Sequence, residues 1–198
     1  MQNQISMDGS SVFDLRSYRI RRKLLKIFGA TFHIYDGDLV VGYSKQKAFK
    51  LKEDIRVYTD DTMTEELLTI QARQMIDFHA AYDIVDPRDG SKVGAARRQG
   101  MASLIRDSWE VLDTEDRVIG RLQEDSTGMA LLRRFLSNLI PQTFVLQGAS
   151  SSSPVQFRQR FNPIIYSLEV TIPDDSGFDP RLLLGVAVLV SAIEGRQG

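Results

Sequence analysis

The clearest candidate for ligand chemistry is a basic segment between Leu15 and Tyr35. It contains no acidic residue and carries six cations within eleven positions, and four lysines follow at positions 45, 47, 50 and 52. Clustered cations attract phosphates and anionic lipid headgroups, and each contributes about 1 kcal/mol near a charged membrane surface. The predicted anionic-ligand site comprises Arg19, Arg21, Arg22, Lys23, Lys26, Lys45 and Lys47.

Two local structures are compatible with this segment. As a strand, it places Arg19, Arg21 and Lys23 on one outer face, because side chains alternate with a period of two. As a helix, it forms an apolar stripe that would suit docking at a membrane interface. The pattern of the surrounding chain favours the strand. The alternative to a binding site is a solvated strand face whose charge is balanced by the acidic run from Glu53 to Glu66.

Other chemistries have little support in the sequence. The 198 residues include no cysteine and two histidines, His33 and His79, which we interpret as surface or loop residues. No phosphate-binding loop, dinucleotide fingerprint, nucleophile elbow or zinc-protease motif occurs. A formal charge of −1 gives no overall basicity for nucleic acid. We therefore expect no catalytic centre, no metal, no cofactor and no nucleic-acid partner.

Acidic residues recur at predicted turns and could be mistaken for cation ligands. They include Asp36, Asp38, Asp60, Asp61, Asp86 and Asp89. None has the spacing of an EF-hand loop. Since aspartate favours turns through local hydrogen bonds, we interpret them as turn residues.

An internal repeat organises most of the chain. Four similar units begin at Phe32, Ile55, Tyr82 and Trp109, each ending in Asp before a polar turn and a second apolar stretch. Each unit is typical of a β-hairpin in a meander. The predicted strands, twelve in all, lie near 18–25, 30–36, 39–50, 54–60, 66–77, 80–86, 92–99, 107–113, 118–124, 142–148, 154–161 and 164–172.

Two helices are predicted beside these strands. Ser126 or Thr127 can cap an outer helix that ends at Pro141. The second helix, over about 180–194, begins with Asp179 as its cap and is apolar on every side from Leu182 to Ile193. At about 1.5 Å per residue it is roughly 21 Å long, too short for a bilayer core of about 30 Å.

A helix without a polar face must be surrounded by other parts of the protein. Twelve antiparallel strands about 4.8 Å apart and tilted by about 40° close into a barrel roughly 24 Å wide. A helix with its side chains is about 10–12 Å wide and would fill that barrel. The predicted fold is therefore mainly β, a closed twelve-stranded antiparallel barrel around a buried C-terminal helix with one additional outer helix.

This pattern resembles the LURP-one-related family of the tubby C-terminal-like and phospholipid scramblase-like superfamily. The resemblance covers the chain from about residue 16 onward and lies in four stretches: 18–25 (YRIRRKLL), 32–36 (FHIYD), 82–86 (YDIVD) and 179–187 (DPRLLLGVA). It implies the barrel fold, no enzymatic activity, and a link by fold analogy to membrane phosphoinositides. The chain lacks the cysteines and the proline-rich tail associated with scramblases, which argues against lipid scrambling.

We accordingly expect a flexible lead-in over 1–14 and a single domain over 15–198. The predicted function is a non-catalytic binding or scaffold module that recognises phosphoinositide or other anionic lipid, or a protein partner. It is expected to be a cytoplasmic monomer without a transmembrane span, peripheral at the membrane. One alternative is a membrane-associated scramblase-like translocator whose apolar helix lies in lipid, and another is a hydrolase that uses carboxylates at the barrel rim.

Overall fold

The computed structural model describes residues 11–25, 29–46, 54–73, 81–99, 108–124, 142–148, 152–160 and 165–193. Within these ranges the chain forms twelve strands, one α-helix and a 3-10 turn over Val12–Asp14. The elements are β1 (Ser17–Leu25), β2 (Gly29–Asp36), β3 (Leu39–Gln46), β4 (Ile55–Tyr58), β5 (Glu66–Ala72), β6 (Ala81–Val85), β7 (Lys92–Arg98), β8 (Ser108–Leu112), β9 (Val118–Glu124), β10 (Thr143–Gly148), β11 (Val155–Arg160), β12 (Tyr166–Thr171) and α1 (Pro180–Ile193).

The twelve strands form one closed antiparallel barrel. Each strand pairs with its neighbours in sequence, and β1 closes the ring by pairing with β12 from Ser17↔Thr171 to Arg22↔Tyr166. Closure leaves no strand edge unpaired along the ring, so it removes the usual route to edge-to-edge aggregation. The predicted twelve-stranded barrel is confirmed.

Period-two alternation separates an inner from an outer face most clearly on strands such as β6 and β9, whereas every residue of β8 is buried. On β6, for example, Tyr82 and Ile84 are buried, whereas Asp83 between them is partly exposed. The predicted repeat starts Phe32, Ile55, Tyr82 and Trp109 all point inward and belong to the same core. The repeat therefore marks the same inner layer on alternate strands of the barrel.

Helix α1 fills the barrel, as predicted. Every residue from Leu182 to Ile193 is buried, and the helix is apolar around its whole circumference because the wall surrounds it. Ser191, a polar residue within this stretch, donates its hydroxyl to the carbonyl of Ala187 at 2.8 Å. Asp179 caps the helix, since its side chain accepts from the Arg181 amide at 2.8 Å and its carbonyl accepts from the Leu183 amide at 3.1 Å.

Two glycines allow the helix and the wall to approach closely. A Cβ on Gly185 of α1 would lie 2.8 Å from Cδ1 of Ile84 on β6. A Cβ on Gly94 of β7 would lie 2.9 Å from Leu182 and 2.6 Å from the Leu112 carbonyl oxygen. All three distances are shorter than packed atoms allow, so a side chain at either position would force its neighbours to move.

Two predicted features at the margins have different outcomes. The lead-in predicted over 1–14 overlaps an ordered turn, because Ser11 and Asp14 form a capping box and Val12 is buried in the core. The outer helix predicted to end at Pro141 lies outside the described residues.

Candidate functional site

Strand β1 divides the predicted basic residues between the two faces of the wall. Tyr18 and Ile20 are buried in the core, whereas Arg21 and Lys23 are exposed on the outside and Arg19 is partly exposed there. Since β1 is a strand, the alternative of an amphipathic interfacial helix is wrong.

Arg22 requires a correction. It was predicted as part of the anionic-ligand site, but it faces inward and is only 6% exposed. Its guanidinium carbon lies 6.0 Å from the centre of the Phe32 ring on the neighbouring strand. The same alternation that exposes Arg21 turns Arg22 into the barrel, where a headgroup on the outer surface cannot reach it.

Strand pairing brings Lys45 beside the outward cations of β1. Lys23 pairs with Thr31, which pairs in turn with Lys45 on β3, so the two lysines lie two strand spacings apart, roughly 10 Å. In the next outward row, Arg21 pairs with His33 and His33 with Tyr43. We call this surface the basic face, comprising Arg19, Arg21, Lys23, Thr31, His33, Tyr35, Tyr43 and Lys45. The other predicted members, Lys26 and Lys47, lie outside the described residues.

One aromatic ring, that of Tyr35, lies beneath both arginines of the basic face. The guanidinium carbon of Arg21 lies 5.0 Å from the centre of the Tyr35 ring, and that of Arg19 lies 5.7 Å from the same ring. Arg19 is further committed to the protein, because it donates to the Gly37 carbonyl at 2.8 Å and lies 3.8 Å from the Asp38 carboxylate. Arg19 therefore lies at the edge of this surface with its guanidinium already bound to protein groups.

The three remaining cations are available for a ligand. Within the described part of the chain, Arg21, Lys23 and Lys45 make no ion pair and no hydrogen bond. The acidic run proposed as their counterweight is partly engaged elsewhere: Glu66 pairs with Arg56 at 3.2 Å, and Asp60 accepts from Thr62 at 2.9 Å. Asp61 of the same run acts electrostatically on His33 and Tyr43, but none of the three cations forms an ion pair with a carboxylate of the described residues.

His33 and Tyr43 form the floor of the basic face. Their rings meet edge to face, with centres 5.2 Å apart. Burial lowers the pKa of His33 below its usual value, with Asp61 opposing and Lys23 reinforcing that change. Burial, helped by Asp61, raises the pKa of Tyr43. Both groups are therefore neutral near pH 7, and the charge of the face comes from its lysines and arginines.

Barrel closure places one further arginine, Arg160, beside the basic face. Arg21 pairs with Ser167 on β12, and Ser167 pairs with Arg160 on β11. Arg160 holds Glu169 through two hydrogen bonds of 3.0 Å, so it borders the basic face as a neutralised pair. The outward positions of Arg158 and Arg160 can be inferred from the alternation that buries Val155 and Phe157, but their place beside Arg21 also requires the pairing of β12 with β1.

Three of the six predicted turn aspartates hydrogen-bond within their turns. Asp60 accepts from the Thr62 amide, Asp86 from the Arg88 amide and Asp89 from the Ser91 amide, at 2.9 to 3.0 Å. Across the described ranges, no three or more His, Asp or Glu residues cluster in a way that could hold a metal ion. The same part of the chain contains no helix with the length and apolar character needed to cross a membrane.

The fold defines the class of this protein: an antiparallel barrel whose core is its own apolar helix. The family model described as LURP-one-related matches residues 40–191, from β3 nearly to the end of α1. The chain belongs to the LURP-one-related family and forms the tubby-like barrel domain that membership suggests. Comparisons with curated proteins and with solved structures gave no match.

Proposed function

We propose that this protein is a non-catalytic binding module that docks on membranes containing anionic phospholipids, phosphoinositides among them, through the basic face. One observation carries the proposal: two adjacent outward rows, Lys23–Thr31–Lys45 and Arg21–His33–Tyr43, contain three unpaired cations and no carboxylate. At about 1 kcal/mol for each cation near an anionic surface, they supply roughly 3 kcal/mol of attraction.

The spacing of the two lysines suits a phosphate headgroup, whereas Thr31 and Tyr43 are only 7% and 8% exposed and form the surface beneath it. Thr31 lies between the two lysines, and a phosphate above it could be approached by both ammonium groups, since lysine has a long and flexible side chain. A headgroup at this position needs no opening of the barrel. Docking would leave α1 inside the barrel. The protein would bind as a monomer to the cytoplasmic surface of the membrane without entering the bilayer.

The absence of catalysis is part of the proposal. In the described residues His33 makes no hydrogen bond to a hydroxyl group, and its ring neighbours are Tyr35 and Tyr43. A histidine that activates a nucleophile needs that nucleophile within hydrogen-bonding distance. The arrangement supports binding rather than acyl or phosphoryl transfer.

The alternative of a lipid translocator has no observation in its favour. It requires the apolar helix to lie in lipid, whereas Leu182 to Ile193 are buried by the barrel wall. Moving α1 into a bilayer would empty the core, exposing inward residues such as Phe32, Trp109 and Phe144.

Vesicle co-sedimentation tests the proposal. We expect the wild type to bind phosphatidylcholine vesicles only when they contain phosphatidylglycerol or a phosphoinositide. Replacing Lys23 and Lys45 together by Gln removes about 2 kcal/mol of attraction and should weaken binding roughly thirtyfold.

The matched control replaces Arg117 and Arg121 by Gln. It changes the net charge equally, and both side chains are more than half exposed on another part of the barrel. Their surface ion pairs contribute little to stability. We expect the control to bind like the wild type, and equal losses in the two variants would overturn the assignment of the site.

A further inference from the structure

An imidazole, that of His33, lies at the centre of the basic face. It lies on β2 between Arg21 on β1 and Tyr43 on β3, and its ring centre is 6.2 Å from Tyr35 on its own strand. In the described residues it makes no hydrogen bond, so its ring nitrogens are uncommitted. The titratable and charged groups that face it are Arg21 and Lys23 from β1, Tyr35 from β2, Tyr43 and Lys45 from β3, and Asp61 from the hairpin between β4 and β5.

The free face holds this imidazole in its neutral form near pH 7. Burial and Lys23 lower the pKa of His33, and Asp61 only partly offsets them. A phosphate bound between Lys23 and Lys45 would reverse this balance, because it places negative charge beside a half-buried imidazole. An adjacent opposite charge favours the charged form of a titratable group.

We propose that His33 is a ligand-binding residue of the basic face, which takes up a proton when an anionic headgroup binds and so makes membrane docking stronger in mildly acidic conditions. This inference rests on the proposed function and specifies how the same site recognises its ligand. The imidazolium would add a fourth cation, with two N–H donors, at the centre of the three already present.

The direction of the pH dependence follows from linkage. The pKa of His33 is higher in the bound state than in the free state, so binding is strongest below the free-state pKa. The gain is lost as pH rises through the bound-state pKa. Each unit of difference between the two pKa values changes the affinity by up to about tenfold.

Phosphatidylglycerol vesicles are the appropriate probe. Their phosphodiester keeps a constant charge between pH 5.5 and pH 7.5, whereas a phosphomonoester has a second pKa near 6 and would itself titrate. We expect wild-type affinity to rise about three- to tenfold from pH 7.5 to pH 5.5. Calorimetry in two buffers of different ionisation enthalpy should show proton uptake on binding.

Three variants separate His33 from other causes. His33→Gln should bind with little change between the two pH values, whereas His33→Lys should bind at both as tightly as the acidic wild type. The chain has one other histidine, so His79→Gln is the matched control and should keep the wild-type response. An acid response that survives His33→Gln, or that disappears in His79→Gln, overturns the inference.

The outcomes also separate this inference from the proposed function. Wild-type protein that binds these vesicles equally at both pH values retains the proposed function and overturns the role of His33. Wild-type protein that binds at neither pH overturns docking on an anionic surface, and the role of His33 with it.

Discussion

Arg181 donates from Nη1 to Oδ2 of Asp86 at 3.0 Å and so joins the first turn of α1 to the end of β6. Asp86 is 2% exposed and also accepts from the Arg88 guanidinium at 2.9 Å. The hydrogen bonds from Arg88 and Arg181 hold the pKa of Asp86 well below its usual value, against the opposing effect of burial. Two sequence stretches that carry the family resemblance thus meet in one ionic contact between helix and wall.

Replacing Asp86 by Ala should destabilise the barrel. The change removes the acceptor that Arg88 and Arg181 share, and losing a hydrogen bond to a buried charged group costs about 1.5–3 kcal/mol. Arg181 keeps its ion pair with Asp179 at 2.6 Å, and Arg88 is largely exposed. Because Arg181 is partly exposed, we expect the lower end of that range, measured as the free energy of unfolding in urea.

Asp89→Ala is the control for this change. Asp89 belongs to the same turn and accepts a hydrogen bond from the Ser91 amide, but it lies at the surface and, among the described residues, forms no hydrogen bond or ion pair with α1. We expect it to cost less than about 1 kcal/mol, as is usual for surface substitutions. Equal costs for the two variants would show that the contact between Arg181 and Asp86 does not hold the helix.

Replacing Gly185 by Ala should destabilise the protein despite the better helix propensity of alanine. The added Cβ would meet three atoms of the Ile84 side chain at 2.8 to 2.9 Å, and overpacking of this kind costs about 1–3 kcal/mol. In the double variant with Ile84→Ala the clash is gone, so its unfolding free energy should exceed the additive expectation. Strictly additive effects in denaturant unfolding would rule out this close approach.

Acid should weaken a charge cluster outside the barrel. Arg73 and Lys92 hydrogen-bond the Asp116 carboxylate and lower its pKa to about 2. The carboxylate has a lower pKa in the folded protein than in the unfolded chain, where it is near 4, so its ionised form stabilises the fold above about pH 4. This contribution is lost as the pH falls toward 2. The unfolding free energy of the wild type should therefore fall more steeply between pH 4 and pH 2 than that of Asp116→Asn. Parallel pH profiles for the two proteins would contradict this assignment.

Neighbouring arginines on β1 should have opposite roles. Arg21→Ala should weaken binding to phosphatidylglycerol vesicles severalfold and leave the melting temperature nearly unchanged, since it removes an exposed cation of the basic face. Arg22→Ala should lower the free energy of unfolding by about 1–3 kcal/mol through lost packing and leave vesicle binding unchanged. Each variant is the control for the other, and the reverse pattern would show that Arg22, not Arg21, contacts the ligand.

Most of the fold could be predicted because its signals are local. Period-two alternation and the repeat at Phe32, Ile55, Tyr82 and Trp109 indicate the strands, and the apolar stretch from Leu182 to Ile193 requires a surrounding wall. Burial patterns of this kind depend on residues within about ten positions of one another, so a single sequence contains them.

The composition of the candidate site was harder to predict because it depends on which strands are neighbours. Arg160 borders Arg21 only through the pairing of the first and last strands, which are separated by most of the chain. Arg22 has a different reason: the run of charges along the chain suggests it as a site residue, but the alternation that buries Tyr18 and Ile20 also turns Arg22 inward. His33, interpreted as an ordinary surface histidine, stands out only when the register places it between Arg21 and Tyr43.

The order of the elements along the chain constrains how the protein is made. Because α1 follows all twelve strands, a ribosome delivers the whole wall before it delivers the segment on which that wall packs. Until then the nascent strands can pair but lack the helix that forms the middle of the core. Their apolar faces are therefore exposed to other chains and to chaperones. Synthesis of α1 therefore sets the earliest moment at which the native barrel can exist, and a premature stop codon before Pro180 would yield a chain unable to fold rather than a smaller barrel.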